Sequence, residues 1–188
     1  MKRILPLLLL VGSCSNGDAG DPSAVDAAPP GATTHALIDN YLWQITTPEE
    51  DPFYAEAGDK PEQCEVEDLT VEDFPDGPWF DVNTRGCAYL TVHQASLGPI
   101  PAGSTIALRI WHFAITVAQG PFYLAVSVGE PPEIVWETTV DAPTLSGALL
   151  HDKWAAEKDY PTGTPIYWHL SNHGDNTWSF IEFSATYE

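Results

Sequence analysis

The sequence is poor in cations. Seven Lys and Arg stand against 27 Asp and Glu in 188 residues, a formal charge of −20. A phosphate-binding face needs clustered positive charge, so nucleic acid is excluded as a partner, and so is a basic helix lying on a membrane surface. Long apolar runs are also missing. The most sustained one near the start, residues 4–11, would reach roughly 12 Å as a helix against a hydrocarbon core of about 30 Å. Signatures of nucleophilic enzymes are absent: there is no G-x-S-x-G and no S-x-x-K. H-E-x-x-H, the EF-hand pattern and a Gly-rich phosphate loop before a helix are missing as well. Three cysteines occur, none in a C-x-x-C pair. What is present is 44% hydrophobic residues, enough for one folded domain with an appendage.

The chain opens with Lys2 and Arg3, then the apolar stretch, then Gly12, Ser13 and Cys14. A cationic start, a short apolar core and small residues are the parts of a secretory signal. The string Val11-Gly12-Ser13-Cys14 resembles the lipobox of bacterial lipoproteins. That resemblance covers the signal region only. It implies cleavage before Cys14, acylation of that residue and a membrane as partner through the lipid. Ser15 follows where an Asp would favour retention in the inner membrane, so the resemblance implies the outer membrane. The alternative is an ordinary signal peptide that happens to contain a cysteine. Residues 1–13 are thus expected to be a signal peptide and residues 14–34 a lipidated cysteine with a flexible tether. That tether is almost entirely small, acidic, Gly or Pro, and cannot bury enough surface to offset its conformational entropy. The folded domain is expected over residues 35–188.

Cys64 and Cys87 remain. In an exported protein a pair of this kind forms a disulfide more often than a metal or redox site. Residues 49–81 are dense in acid and punctuated by Pro52, Pro61, Pro75 and Pro78, which reads as long loops with short extended pieces. Two explanations of the acidity stand: a field that attracts cations, or a solubility habit in a salty environment.

From Trp79 onward the pattern is that of strands. Residues 87–94, 122–128 and 134–140 alternate apolar with polar or smaller side chains, and residues 106–117 are apolar on both faces. Residues 148–159 could form a short helix, with Leu150 and Trp154 at i and i+4. Residues 165–170 and 177–187 complete the set. Short strands with Gly/Pro turns between them imply an all-β fold, an antiparallel β-sandwich of jelly-roll type with about eight strands.

Two segments echo each other: Ile110-Trp111-His112-Phe113 and Tyr167-Trp168-His169-Leu170. The second runs into Asn172-His173-Gly174-Asp175-Asn176 and then Trp178. Three readings stand. The indoles and imidazoles can be core and sheet-margin groups, with the Asx residues supplying turn chemistry. Alternatively, Trp111, Trp168 and Trp178 stack on sugar rings while Asn172, Asp175 and Asn176 hold hydroxyls. Thirdly, His112, His169 and His173 hold a zinc ion for hydrolysis, although four residues along a strand span roughly 13 Å. No cofactor is required by the first two readings; zinc or calcium is the alternative. The sequence favours a binding protein over an enzyme, with a cell-envelope glycan as ligand, or an envelope protein as partner in the competing reading.

Overall fold

The structure, a computed structural model, describes residues 31–54, 62–116, 121–171 and 175–188. Residues 1–30, which include Lys2, Arg3 and the expected lipidation site Cys14, lie outside the described residues, as do Asn172 and His173. Gly31–Glu188 is one compact unit.

Eleven strands are described. They are β1 (Thr33–Ala36), β2 (Gln44–Ile45), β3 (Leu69–Phe74), β4 (Gly77–Asn83), β5 (Tyr89–Ala95), β6 (Thr105–His112), β7 (Pro121–Val128), β8 (Glu133–Asp141), β9 (Ala148–Ala155), β10 (Pro165–Ser171) and β11 (Thr177–Tyr187). They form two sheets. One runs β3-β4-β11-β6-β9, with β1 also paired to β11; the other runs β2-β5-β10-β7-β8. Every named strand pair is antiparallel. The expected antiparallel β-sandwich is therefore what forms. The strands beyond the eight expected come from β1 and β2, which precede the acidic region, from β3 within it, and from β9. The boundary expected at residue 35 falls inside β1, which begins at Thr33.

The expected helix over residues 148–159 is corrected: the segment is β9. Its Leu150 pairs with Ile110 and its Trp154 with Ile106. Spacing of i and i+4 satisfies a period of two as well as a period of 3.6, so the apolar pair alone could not separate the two. Gly147 precedes this strand because backbone and ring crowd it. A Cβ there would lie 2.6 Å from the His112 carbonyl and 2.8 Å from the Trp111 ring.

The core lies between the sheets and is filled by alternate residues. Ile106, Leu108 and Ile110 of β6, Phe122, Leu124, Val126 and Val128 of β7, and Ile166, Trp168 and Leu170 of β10 are all buried. At one open edge, the Trp136 indole N–H of β8 donates to Asp152 of β9 at 2.6 Å and ties the two sheets together. Strand β11 carries two partners along the same side. β4 pairs with residues 177–180, β1 with residues 184–187, and the register of β11 against β6 shifts between Phe180 and Glu182. Asn40 fills this irregularity. Its side-chain amide donates to the carbonyls of Pro78 (2.7 Å), Phe180 (3.1 Å) and Ile181 (3.2 Å).

The acidic region is anchored rather than loose at its described ends. Cys64 and Cys87 form the expected disulfide, with both residues buried. Beside it the Cys64 amide donates to the Tyr89 carbonyl and the Ala88 amide to the Glu62 carbonyl. A short 3-10 turn, Val66–Asp68, follows, capped by mutual bonds between Glu65 and Asp68.

Candidate functional site

Among the described residues, the aromatic and polar side chains singled out from the sequence do not converge. Trp168 and Trp178 are 0% exposed, so neither indole can meet a sugar from solvent. Alternation along β10 and β11 aims both into the core. Trp168 packs on Phe80 and Phe180, and Trp178 on Phe122 and His112. Trp111 is half-buried, on the outward face of the six-stranded sheet beside Leu149 and Ser179. Asp175 is exposed and sits 3.7 Å from Arg85. Asn176 is buried; its carbonyl accepts from the Thr84 amide and hydroxyl.

The histidines also part company. His112 faces inward on the six-stranded sheet, its Nδ1 2.8 Å from the Phe113 carbonyl. His169 belongs to the other sheet and faces outward. Among the described residues, the one group of three or more potential ligands is Cys64, Asp68 and Cys87, whose sulfurs are bonded to each other. The described pair His112 and His169 is thus not brought together as metal ligands.

A different set does converge, on the outer face of the five-stranded sheet. The register stacks it in rows across the strands. One row holds Tyr89, Ser171, Tyr123 and Thr139; the next holds Thr91, His169, Ala125 and Glu137; a third holds Gln44, His93, Tyr167 and Ser127. Adjacent residues of a strand face opposite sides, so placing Leu90, Val92, Trp168 and Val126 in the core places these outside it. Tyr123 and Tyr167 are each half-buried on this face. The Tyr123 hydroxyl donates to Glu137 at 2.7 Å, and the Tyr167 ring lies 5.9 Å from that of His93.

A strap, residues 46–54, crosses this face. It turns on Thr47, whose carbonyl accepts from the Glu50 and Asp51 amides, and on Asp51, whose side chain accepts from the Phe53 amide. It is pinned to the sheet at four places. Thr46 Oγ1 is 3.2 Å from His93 Nδ1. Asp51 accepts from the Tyr89 hydroxyl at 2.6 Å. Phe53 stacks on His169 at 4.5 Å and 15°, and Tyr54 meets Tyr89 edge-on.

Burial under the strap shapes the electrostatics. Desolvation lowers the His169 pKa to about 4, against the Asp51 charge, so the ring is neutral at pH 7 and Nδ1 engages Thr91 Oγ1 at 2.9 Å. Burial, then the bond to Asp51, pushes the Tyr89 hydroxyl upward. Burial, then the charges of Glu130, Glu50 and Asp51, raises Tyr167. The Ser127 hydroxyl is buried on this face without a hydrogen-bond partner among the described residues. Half-exposed rings rimmed by carboxylate, hydroxyl, amide and imidazole groups suit a ligand with apolar C–H faces and many hydroxyls. In the sequence these residues are less conspicuous than the indoles; the signal that marks them is the opposite phase of the same alternation.

No protein-family model matches the chain, and no curated protein matches it. Solved structures that resemble it include arabinose-bound MgGH51 α-L-arabinofuranosidase, at 12% identity and TM-score 0.48, covering 80% of this chain and 26% of that one. The chain thus spans about a quarter of that protein's length. TmCBM61 in complex with β-1,4-galactotriose is 11% identical with TM-score 0.41, covering 82% of this chain and 99% of that one. A family 16 carbohydrate-binding module is 7% identical with TM-score 0.42, covering 64% and 86% respectively.

Proposed function

We propose that this chain is a lipid-anchored protein of the bacterial cell envelope whose sandwich binds glycan on the outer face of the five-stranded sheet. The observation that carries the reading is the pair of half-exposed rings, Tyr123 and Tyr167, on neighbouring strands of one face with Glu137, Thr139, Gln44 and His93 around them. Sugar C–H faces lie on such rings while the rim fixes the hydroxyls. The lipobox-like string ending at Cys14 supports the anchor, and the small, acidic residues 15–34 support a spacer of roughly 25 Å.

The test is titration of the full chain, held in mild detergent, with a panel of soluble oligosaccharides. Tyr123→Ala and Tyr167→Ala should each weaken binding about three- to tenfold, and Trp111→Ala should leave it unchanged. Absence of binding across the panel, or binding indifferent to both tyrosines, overturns the reading. The anchor is tested separately. Cys14→Ser should move the protein from the detergent phase to the aqueous phase, and a variant that stays with the detergent removes the lipid from the proposal.

One observation favours a second reading, a protein-interaction module. Trp111, Phe113 and Leu149 form a partly exposed apolar group on the six-stranded sheet, with Phe113 56% and Leu149 43% exposed. Loss of an envelope partner in Trp111→Ala, with glycan binding absent, would select that reading.

A further inference from the structure

We infer that the outer face of the five-stranded sheet selects amine-bearing, cationic glycans over acidic ones. The inference rests on the glycan reading above and names the ligand class of that same face. Two carboxylates are built into it by direct bonds: Asp51 on the Tyr89 hydroxyl and Glu137 on the Tyr123 hydroxyl. Two more, Glu50 and Glu130, act on Tyr167 from the strap and from the turn after β7. Among the described residues, no Lys or Arg pairs with these four carboxylates. Strands β2, β5, β7, β8 and β10 contain no Lys or Arg, and neither do residues 46–54.

The cations among the described residues are all committed or placed on other elements. Arg85 sits by Asp175, Arg109 holds Asp76 and Glu182, and Lys158 holds Glu133 beside the Tyr160 ring. Lys153 is on β9 of the other sheet. A ligand carboxylate or sulfate beside Tyr123 or Tyr167 would therefore meet like charge and gain no ion pair from the described residues.

The acidic groups alone would not define a site. What makes this face one is the pair of half-exposed rings together with the Ser127 hydroxyl. That hydroxyl lies beside Tyr167 in the register, is 1% exposed and has no partner among the described residues, so it is a donor and acceptor those residues do not use. Glu137, exposed beside Tyr123, is the carboxylate best placed to receive a ligand ammonium.

The experiment compares β-1,4-linked hexamers of glucose, glucosamine and glucuronate, which share ring configuration and linkage and differ in charge. Each is titrated at pH 6 into the full chain in neutral detergent. At 10 mM salt, where screening reaches about 30 Å, the glucosamine hexamer should bind about tenfold tighter than the glucose hexamer, and the glucuronate hexamer about tenfold weaker. At 1 M salt the spread should close to within about twofold. Glu137→Gln should narrow it at low salt. Tyr123→Ala and Tyr167→Ala combined should abolish binding of all three hexamers; if the glucosamine preference survives in that double variant, amines are binding anywhere on an acidic protein and the inference falls. Equal affinities, or tightest binding of glucuronate, also overturn it while leaving the glycan reading intact. If none of the hexamers binds, the glycan reading itself fails and this inference with it.

Discussion

The bond between Tyr89 and Asp51 is the firmest link between strap and sheet, and removing it gives a defined outcome. Asp51 is 8% exposed and uses both carboxylate oxygens, one for the Phe53 amide and one for the Tyr89 hydroxyl at 2.6 Å. Tyr89→Phe keeps the ring and its contact with Tyr54 and His169 but leaves one oxygen of a buried carboxylate without a donor. A hydrogen bond to a charged group contributes about 1.5–3 kcal/mol. For a domain of this size, that range lowers the melting temperature by about 3–12 °C. Asp51→Asn weakens the same contact from the other side. In the double variant the losses should be less than additive, with a coupling of about 1 kcal/mol or more. Urea unfolding of the four proteins measures this. Limited proteolysis should also cut within residues 46–54 sooner in Tyr89→Phe, because the strap opens locally before the sandwich does. Additive losses below about 0.5 kcal/mol, with no change in cleavage, would refute the idea that this bond holds the strap down.

Other outcomes follow from the same geometry. His169 titrates at about 4 in the folded state against 6.5 as a free group, so the unfolded chain binds more protons between those values. The stability its neutral ring contributes is complete above pH 6.5 and is lost as pH falls toward 4, amounting to about 3 kcal/mol. Urea midpoints of His169→Gln should therefore fall less than those of the unaltered protein between pH 7 and 4, and parallel slopes would count against it. Replacing both Cys64 and Cys87 by Ser, which opens a loop with a sequence separation of 23, should cost about 3–4 kcal/mol in the same assay. Gly147→Ala should destabilise by about 1–3 kcal/mol, because its methyl group meets the His112 carbonyl and the Trp111 ring. A neutral result there would mean the turn before β9 shifts freely. Trp168→Ala should cost about 3–5 kcal/mol, as expected for a fully buried indole. Trp111→Ala should cost under half as much.

Alternation made the sandwich legible. Residues 122–128 and 165–170 are strands because every second side chain is large and apolar, and the structure buries that set. The phase was harder. The two Trp-His pairs look alike in sequence, yet they sit in opposite phase: β6 turns Trp111 outward and His112 inward, whereas β10 turns Trp168 inward and His169 outward. Neighbours of mixed character do not fix which of two adjacent residues faces the core. Only pairing with β11 on one side and with β5 and β7 on the other decides it. The strap was illegible for a different reason. Residues 46–54 are polar, acidic and Pro-containing, as any solvated loop is, and Asp51 and Phe53 gain meaning from Tyr89 and His169, far away in the chain. The disulfide was readable because two cysteines remained once Cys14 was assigned to the expected signal, and in a chain expected to be exported such a pair has few other uses.

Strand β11 has a bearing on how the molecule is made. It is the seam of its sheet: β1, β4 and β6 all bond to it. Take it away and the sheet falls into the β3–β4 hairpin, the β6–β9 pair and a stranded β1. Yet it is translated after all of them. While a ribosome is still adding residues 177–187, the inward side of β6 has no neighbour on that flank and the hairpin has nothing to join. The sandwich is thus obliged to close after translation of its other strands, and whatever escorts the growing polypeptide must shield those greasy surfaces until the seam arrives.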